Sequence, residues 1–231
     1  MMDKNPFWII IIASFVGVGL IFFLATLITN LIFKKYSFLR HFPEEILSKD
    51  NKAMIPLRIL QYAFVVPSLL IIVFIFIYRQ YFSNDLLVLE AIMGALIFLM
   101  SLLHIVLSYI PSRNTKPHFV ISTIHFSGTF LTSAMVAFNG YYFANLYNSQ
   151  STGSVYHLAL GIIATILVVG TLVMMFNPKI TTWYKMDTTQ NEDGSVSVSR
   201  PKIFILAFSE WLSMLLSFLT GIVFILELVK I

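Results

Sequence analysis

Six stretches of this chain are apolar over membrane-spanning lengths, and no other feature narrows the possible folds so far. They run from about Pro6 to Phe33, Ile55 to Phe82, Asp85 to Ile110, Pro117 to Tyr147, Val155 to Phe176 and Pro201 to Lys230. At about 1.5 Å of helix per residue, each covers a hydrocarbon core of about 30 Å, the longer ones by tilting or protruding. The balance of residue types agrees: 58% are hydrophobic and 11% charged, where soluble domains carry about 25% charge. No soluble core absorbs that much apolar surface, so lipid is the expected solvent. The expected fold is an all-α bundle of six transmembrane helices forming one domain over residues 1–231.

The punctuation between the runs fits helices. Pro6, Pro56, Pro117 and Pro201 stand where a missing N–H matters least, at helix starts, while Pro67 lies inside the second run and is expected to kink it. The second loop, around Ser83 and Asn84, is tight and predicts an antiparallel hairpin of spans two and three. The fifth loop, TTQNEDGSVSVSR, is expected to be mobile or to form a small hairpin turning at Asp193-Gly194. The first run is longer than the core of a signal peptide and is expected to be retained. Twelve of the fifteen Lys and Arg residues lie in or beside loops one, three and five. The positive-inside rule therefore places the odd loops in the cytoplasm and both termini outside. There is no cysteine, which removes disulfides, thiolate metal sites and Cys nucleophiles. The net charge of +4 belongs to loops, where topology accounts for it, and no nucleic-acid partner is expected.

Ionisable residues inside such runs are costly and commonly functional. Counted from the side of the odd loops, Glu210 lies about 13 Å deep past Pro201, His125 about 12 Å past Pro117, and His104 about 10 Å before Pro111. Each belongs to a polar stripe with helical spacing. Span three presents Glu90, Gly94, Ser101, His104 and Ser108. Span four presents His125, Gly128, Thr129, Thr132 and Asn139. Span six presents Glu210, Ser213, Ser217, Thr220 and Gly221. The stripes are expected to face one another. One reading is a packing surface, where small and hydroxylated residues let helices approach. The other is a polar cavity open on the odd-loop side, holding a lipid headgroup or an ion, with His104, His125, Glu210, Glu90, Asn139, Ser213 and Ser217 as ligand-binding residues. Glu227, His118 and His157 fall near span ends and are expected at the interface. The aromatic residues near span ends, among them Phe7-Trp8, Tyr81-Phe82, Tyr147, Tyr156 and Trp183-Tyr184, are read as interfacial belts.

Specific chemistries find little support. His104 and His125 form one imidazole pair, with no second pair to complete a haem pattern. A zinc site from His104, His125 and Glu210 has suitable ligand types but lacks any short ligating motif. No Walker loop, dinucleotide fingerprint or nucleophile motif is present. Neither a cofactor nor a metal is expected, and no catalytic residue stands out.

Four short motifs carry a likeness. Loop one contains His41-Phe42-Pro43, then Ile46, Ser48 and Pro56. Span two closes on Ile77-Tyr78-Arg79. Span four opens with Ile124-His125-Phe126-Ser127-Gly128. Span six contains Ser209-Glu210-Trp211 and closes with Phe224 and Glu227. In these places the chain resembles the six-span family of the damage-regulated autophagy modulators, their Sfk-type and FRAG-type relatives, and the N-terminal region of the Cwh-type GPI-lipid remodelling proteins. The resemblance implies lipid handling and protein partners without a defined catalytic reaction, with His125 and Glu210 at recurring family positions. It also implies cytosolic termini, opposite to the charge count. The first expectation is thus a non-catalytic integral membrane protein that binds or organises membrane lipids and partners. The alternatives are an ion- or proton-coupled transporter or channel-like subunit, and an accessory subunit of a larger membrane assembly.

Overall fold

The computed structural model describes residues 6–32, 37–47, 52–77, 84–110, 115–147, 152–175, 186–191 and 193–228. Tyr78-Arg79, Tyr81-Phe82, Ser83, Ser48, Pro111 and Trp183-Tyr184 lie outside these residues. The chain folds into α1 (Pro6–Ile32), α2 (Pro43–Leu47), α3 (Ile55–Ile77), α4 (Asn84–Leu107), α5 (Thr115–Leu146), α6 (Thr152–Met175) and α7 (Ile205–Glu227). A two-stranded hairpin, β1 (Asp187–Gln190) with β2 (Val196–Ser199), precedes α7. All helices but α2 are long and apolar enough to cross a membrane. The protein is an integral, multi-pass membrane protein with an all-α bundle.

Residue contacts fix the helix directions. Gln61 meets His104 and Ser108 while Gly94 lies against Ile71, Ile72 and Ile75, so α3 and α4 run antiparallel as the tight loop implied. Trp8 stacks on Phe74 and Phe15 packs at a tilt on Phe64, which makes α1 antiparallel to α3. Gly140 abuts Gly161 while Ser154 bonds the Ala144 carbonyl, so α5 and α6 are antiparallel too. A Cβ on Gly140 would stand 2.8 Å from the Gly161 Cα and backbone nitrogen. Only glycine permits that approach.

The last helix is the hub. Within its membrane window 61% of residues are buried, against 28–44% for the other spans. It packs on α1, α4, α5 and α6. Phe218 wedges beside Gly19, Phe15 and Phe64, and Phe15 in turn lies against Gly221. Bulky rings set against glycines on facing helices give the interdigitation that van der Waals packing in a bilayer requires.

Three details depart from the sequence-based expectations. The sixth membrane helix begins at Ile205, four residues after Pro201. Residues 201–204 are non-helical because they are tied to loop one: the Phe204 N–H donates to the Leu39 carbonyl at 2.7 Å. Pro117 is the third residue of α5, since the helix begins at Thr115. Trp8 is not an interfacial residue facing outward; its ring is buried 4.3 Å from that of Phe74. The hairpin does form, turning where expected, with Gly194 in the left-handed region at φ 80° that its turn demands. Pro67 is accommodated within α3, where the Ser68 hydroxyl donates to the Val65 carbonyl at 2.7 Å.

Candidate functional site: a polar seam between two parallel helices

The seam grows out of one register. Glu210 on α7 accepts from Ser122 on α5, Ser213 bonds His125, Ser133 bonds Thr220, and Glu227 accepts from Asn139. The sequence separations are 88, 88, 87 and 88 residues. A constant separation means that α5 and α7 run parallel and in step. From Glu210 to Glu227 the seam climbs about 25 Å at 1.5 Å per residue, most of a hydrocarbon core. The polar stripes read from sequence do face inward: Glu90, Ser101, His104, His125, Thr129, Thr132, Asn139, Glu210, Ser213, Ser217 and Thr220 are all buried.

At the odd-loop end, His118 Nε2 lies 2.7 Å from Glu210 Oε1, and Ser122 Oγ donates to the same oxygen at 2.8 Å. His118 Nδ1 donates to the Ile110 carbonyl at 2.9 Å. His118 is therefore buried in protein, 5% exposed, rather than turned outward at an interface. Glu44, from α2 in loop one, completes the group: one ligand atom each from Glu44, His118 and Glu210 lie within 4.8 Å of one another. Local sequence explains why α2 forms there. Pro43 stands at its first helical position, and the Glu45 carboxylate reaches back to the Phe42 N–H at 2.9 Å, a half capping box.

Loop one is clamped over the start of α7. Arg200 grips Glu45 through both terminal nitrogens, at 2.5 and 2.7 Å. That bond holds the guanidinium even more firmly protonated than usual. Trp211 Nε1 donates to the His41 carbonyl at 3.0 Å. Phe42 and Phe204 lie under the guanidinium, each ring centre 5.4 Å away.

Deeper in, the His104 and His125 rings lie 4.7 Å apart. Gln61 Nε2 donates to the His104 carbonyl and the Ser108 hydroxyl, at 2.7 and 2.8 Å. His104 Nε2, His125 Nε2 and Gln61 Oε1 find no partner among the described residues. A void of about 10 Å³ between Gly19, Phe22, Phe23, Gln61, Phe64 and His104 has room for about one water. At the opposite end Glu227 is buried, not interfacial, because α5 and α6 cover it. Its Oε2 accepts from Asn139 at 3.0 Å, its Oε1 lies over Gly140, and Glu90 is a neighbour. His157, also expected at the interface, is buried among the rings of Phe143, Tyr147 and Tyr156.

Of the seven site residues expected from sequence, His104, His125 and Ser213 come together, while Glu210 joins His118 instead. Glu90 and Asn139 belong to the far end beside Glu227, and Ser217 is buried between the two ends. Sequence reasoning missed His118, Ser122, Gln61 and Glu44. The signal for two of them was present: continuing the span-four stripe backwards from His125 by three and seven positions lands on Ser122 and His118.

A second concavity lies on the other face of α7. A groove of about 280 Å³ runs between α1 and α7, lined by Leu20, Leu24, Leu27, Phe38, Phe208, Trp211, Leu212 and Leu215 among others. Thr26 is its polar lining residue, and that hydroxyl donates to the Phe22 carbonyl. At about 100° per residue, Phe208, Trp211, Leu212 and Leu215 face away from Glu210, Ser213 and Ser217. Comparison with known proteins finds no matching family model, curated protein or solved structure.

Proposed function

We propose that this membrane protein holds lipid without transforming it, with an acyl chain seated in the groove between α1 and α7. The groove itself carries the reading. Its walls are aliphatic and aromatic, its volume is close to the lower end of ligand pockets at about 300 Å³, and the helices that form it are of membrane-spanning length. Leu20, Leu24 and Leu27 are 47%, 55% and 44% exposed there, so lipid tails are the molecules at hand to cover them. The likeness to the autophagy-modulator and GPI-remodelling family points the same way, toward lipid organisation and membrane partners. On this reading Glu210 and His125 act as seam residues that position α7, whose other face forms the groove wall.

The test is photo-crosslinking in vesicles with a phospholipid carrying a diazirine in its tail. The labelled peptides should come from α1 and α7 at the groove. Leu212→Trp, which fills the groove, should cut that labelling at least twofold. Labelling no stronger than on the outer face of α6, at Ile162, Ile166 and Val173, would sink the proposal.

One observation favours a second reading, a proton path. Hydroxyls and imidazoles follow one another along the seam with a carboxylate at each end, which are suitable residue types for a relay. Proton flux into liposomes that vanishes in both Glu210→Gln and Glu227→Gln would favour it over lipid holding.

A further inference from the structure

We infer that Glu44, His118 and Glu210 form a binding site for a divalent transition-metal ion, zinc being the best fit. The tautomer of His118 leads to this. The Ile110 carbonyl can only accept, so the Nδ1 that bonds it carries the ring proton. A neutral His118 then presents the Nε2 lone pair to Glu210 Oε1 at 2.7 Å. Two acceptors at that distance need a positive charge between them, either a second proton or a cation.

The carboxylates decide which suits the site better. Glu44 and Glu210 both converge on this imidazole and are 6% and 2% exposed. Glu210 Oε2 is buried with no hydrogen-bond partner among the described residues. An imidazolium offers the two buried carboxylates a single positive charge between them. A divalent ion cancels both carboxylates and leaves the imidazole neutral. Arg200 also bears on Glu44, through a guanidinium hydrogen-bonded to Glu45.

The surroundings resemble those of metal ligands elsewhere. A ligating histidine usually donates its other N–H to a carbonyl or carboxylate, and its carboxylate partners are themselves hydrogen-bonded. Ile110 and Ser122 fill those two roles. Ligands at about 2.1 Å from a tetrahedral ion stand about 3.4 Å apart. Opening the 2.7 Å contact and drawing in the third ligand atom from within 4.8 Å takes only side-chain adjustment. One nitrogen and two carboxylate oxygens suit zinc, iron(II) or manganese(II), and three protein ligands leave a position for water or another oxygen donor. The ion would also pin loop one to the bundle.

The experiment uses the full chain in nanodiscs, stripped with chelator and reloaded with zinc chloride. Elemental analysis should return about one zinc per chain. X-ray absorption should show a shell of oxygen and nitrogen with a single imidazole. Glu44→Gln should weaken binding at least tenfold while circular dichroism stays unchanged, and Glu210→Gln should do the same. Zinc content equal in wild type and both variants would overturn the inference. So would an imidazole nitrogen NMR spectrum in which His118 stays doubly protonated, as an ion pair with Glu210, whether zinc is added or not. That spectrum is read on wild-type protein, so it decides even if a variant fails to fold.

Discussion

Glu210 and Glu227 stand at opposite ends of one helix, both buried, and are held in different ways. Glu210 is met by an imidazole and a hydroxyl from α5 and by a second carboxylate from loop one. Glu227 is met by one amide, lies over a glycine, and has the Glu90 carboxyl as a neighbour. The first end joins α2, α5 and α7, whereas the second, among the described residues, is set between packed helices. A buried carboxylate gathering groups from several elements is arranged to hold something together, by proton or by ion. One pressed against helix backbone serves close packing. The same residue type thus does different work at the two ends of one seam.

Removing each carboxylate should separate the two roles. Glu210→Leu strands His118 and Ser122 in the interior and should cost about 3–5 kcal/mol, the range for breaking a buried pair. Glu210→Gln keeps hydrogen-bonding capacity and should fold far better. Unfolding in mixed micelles measures both, and equal losses would erase the distinction. At the other end, Gly140→Ala drives a methyl toward Gly161 and Glu227 Oε1, which a Cβ would approach to 2.8 and 2.6 Å. It should cost about 1–3 kcal/mol by overpacking, as read from the same unfolding curve. Glu227→Leu should cost less than Glu210→Leu, about 1–2 kcal/mol, because it strands one amide where Glu210→Leu strands an imidazole and a hydroxyl. A loss as large as that of Glu210→Leu would make the two ends alike. Smallest of all, Arg200→Ala removes a partly exposed pair with Glu45 and should shift stability by under about 1 kcal/mol.

Which end faces the cytoplasm can be read cleanly, because the chain has no cysteine. Val198→Cys puts a single thiol on the exposed hairpin at the Glu210 end. The charge count predicts protection from an impermeant maleimide added outside intact cells. Labelling from outside would instead match the orientation implied by the family resemblance.

Much of this architecture is legible in the sequence. Apolar runs announce six spans because lipid leaves a helix few alternatives, and helical spacing of polar residues marks the inward faces. The pairing across the seam was not legible, for a definite reason. Taking Pro201 and Pro117 as helix starts sets α7 too far along against α5, and Glu210 then falls level with His125. The true start, fixed by a backbone bond from Phe204 to Leu39 in loop one, moves Glu210 toward the loops and opposite His118 and Ser122. That bond joins residues far apart in sequence, and local pattern carries no trace of it. Glu44 escaped notice for the same reason: a glutamate in a charged loop reads as solvated until the loop folds back over the helix ends.

The most direct test of the account is a structure in lipid nanodiscs, resolved well enough to compare the two faces of α7. Elongated density along Leu24, Leu27, Leu212 and Leu215, with none entering beside His104 and His125, is the expected result. Headgroup-shaped density reaching His104 and His125 while the α1–α7 groove stays bare would contradict it, and would move the lipid site to the polar face of the same helix.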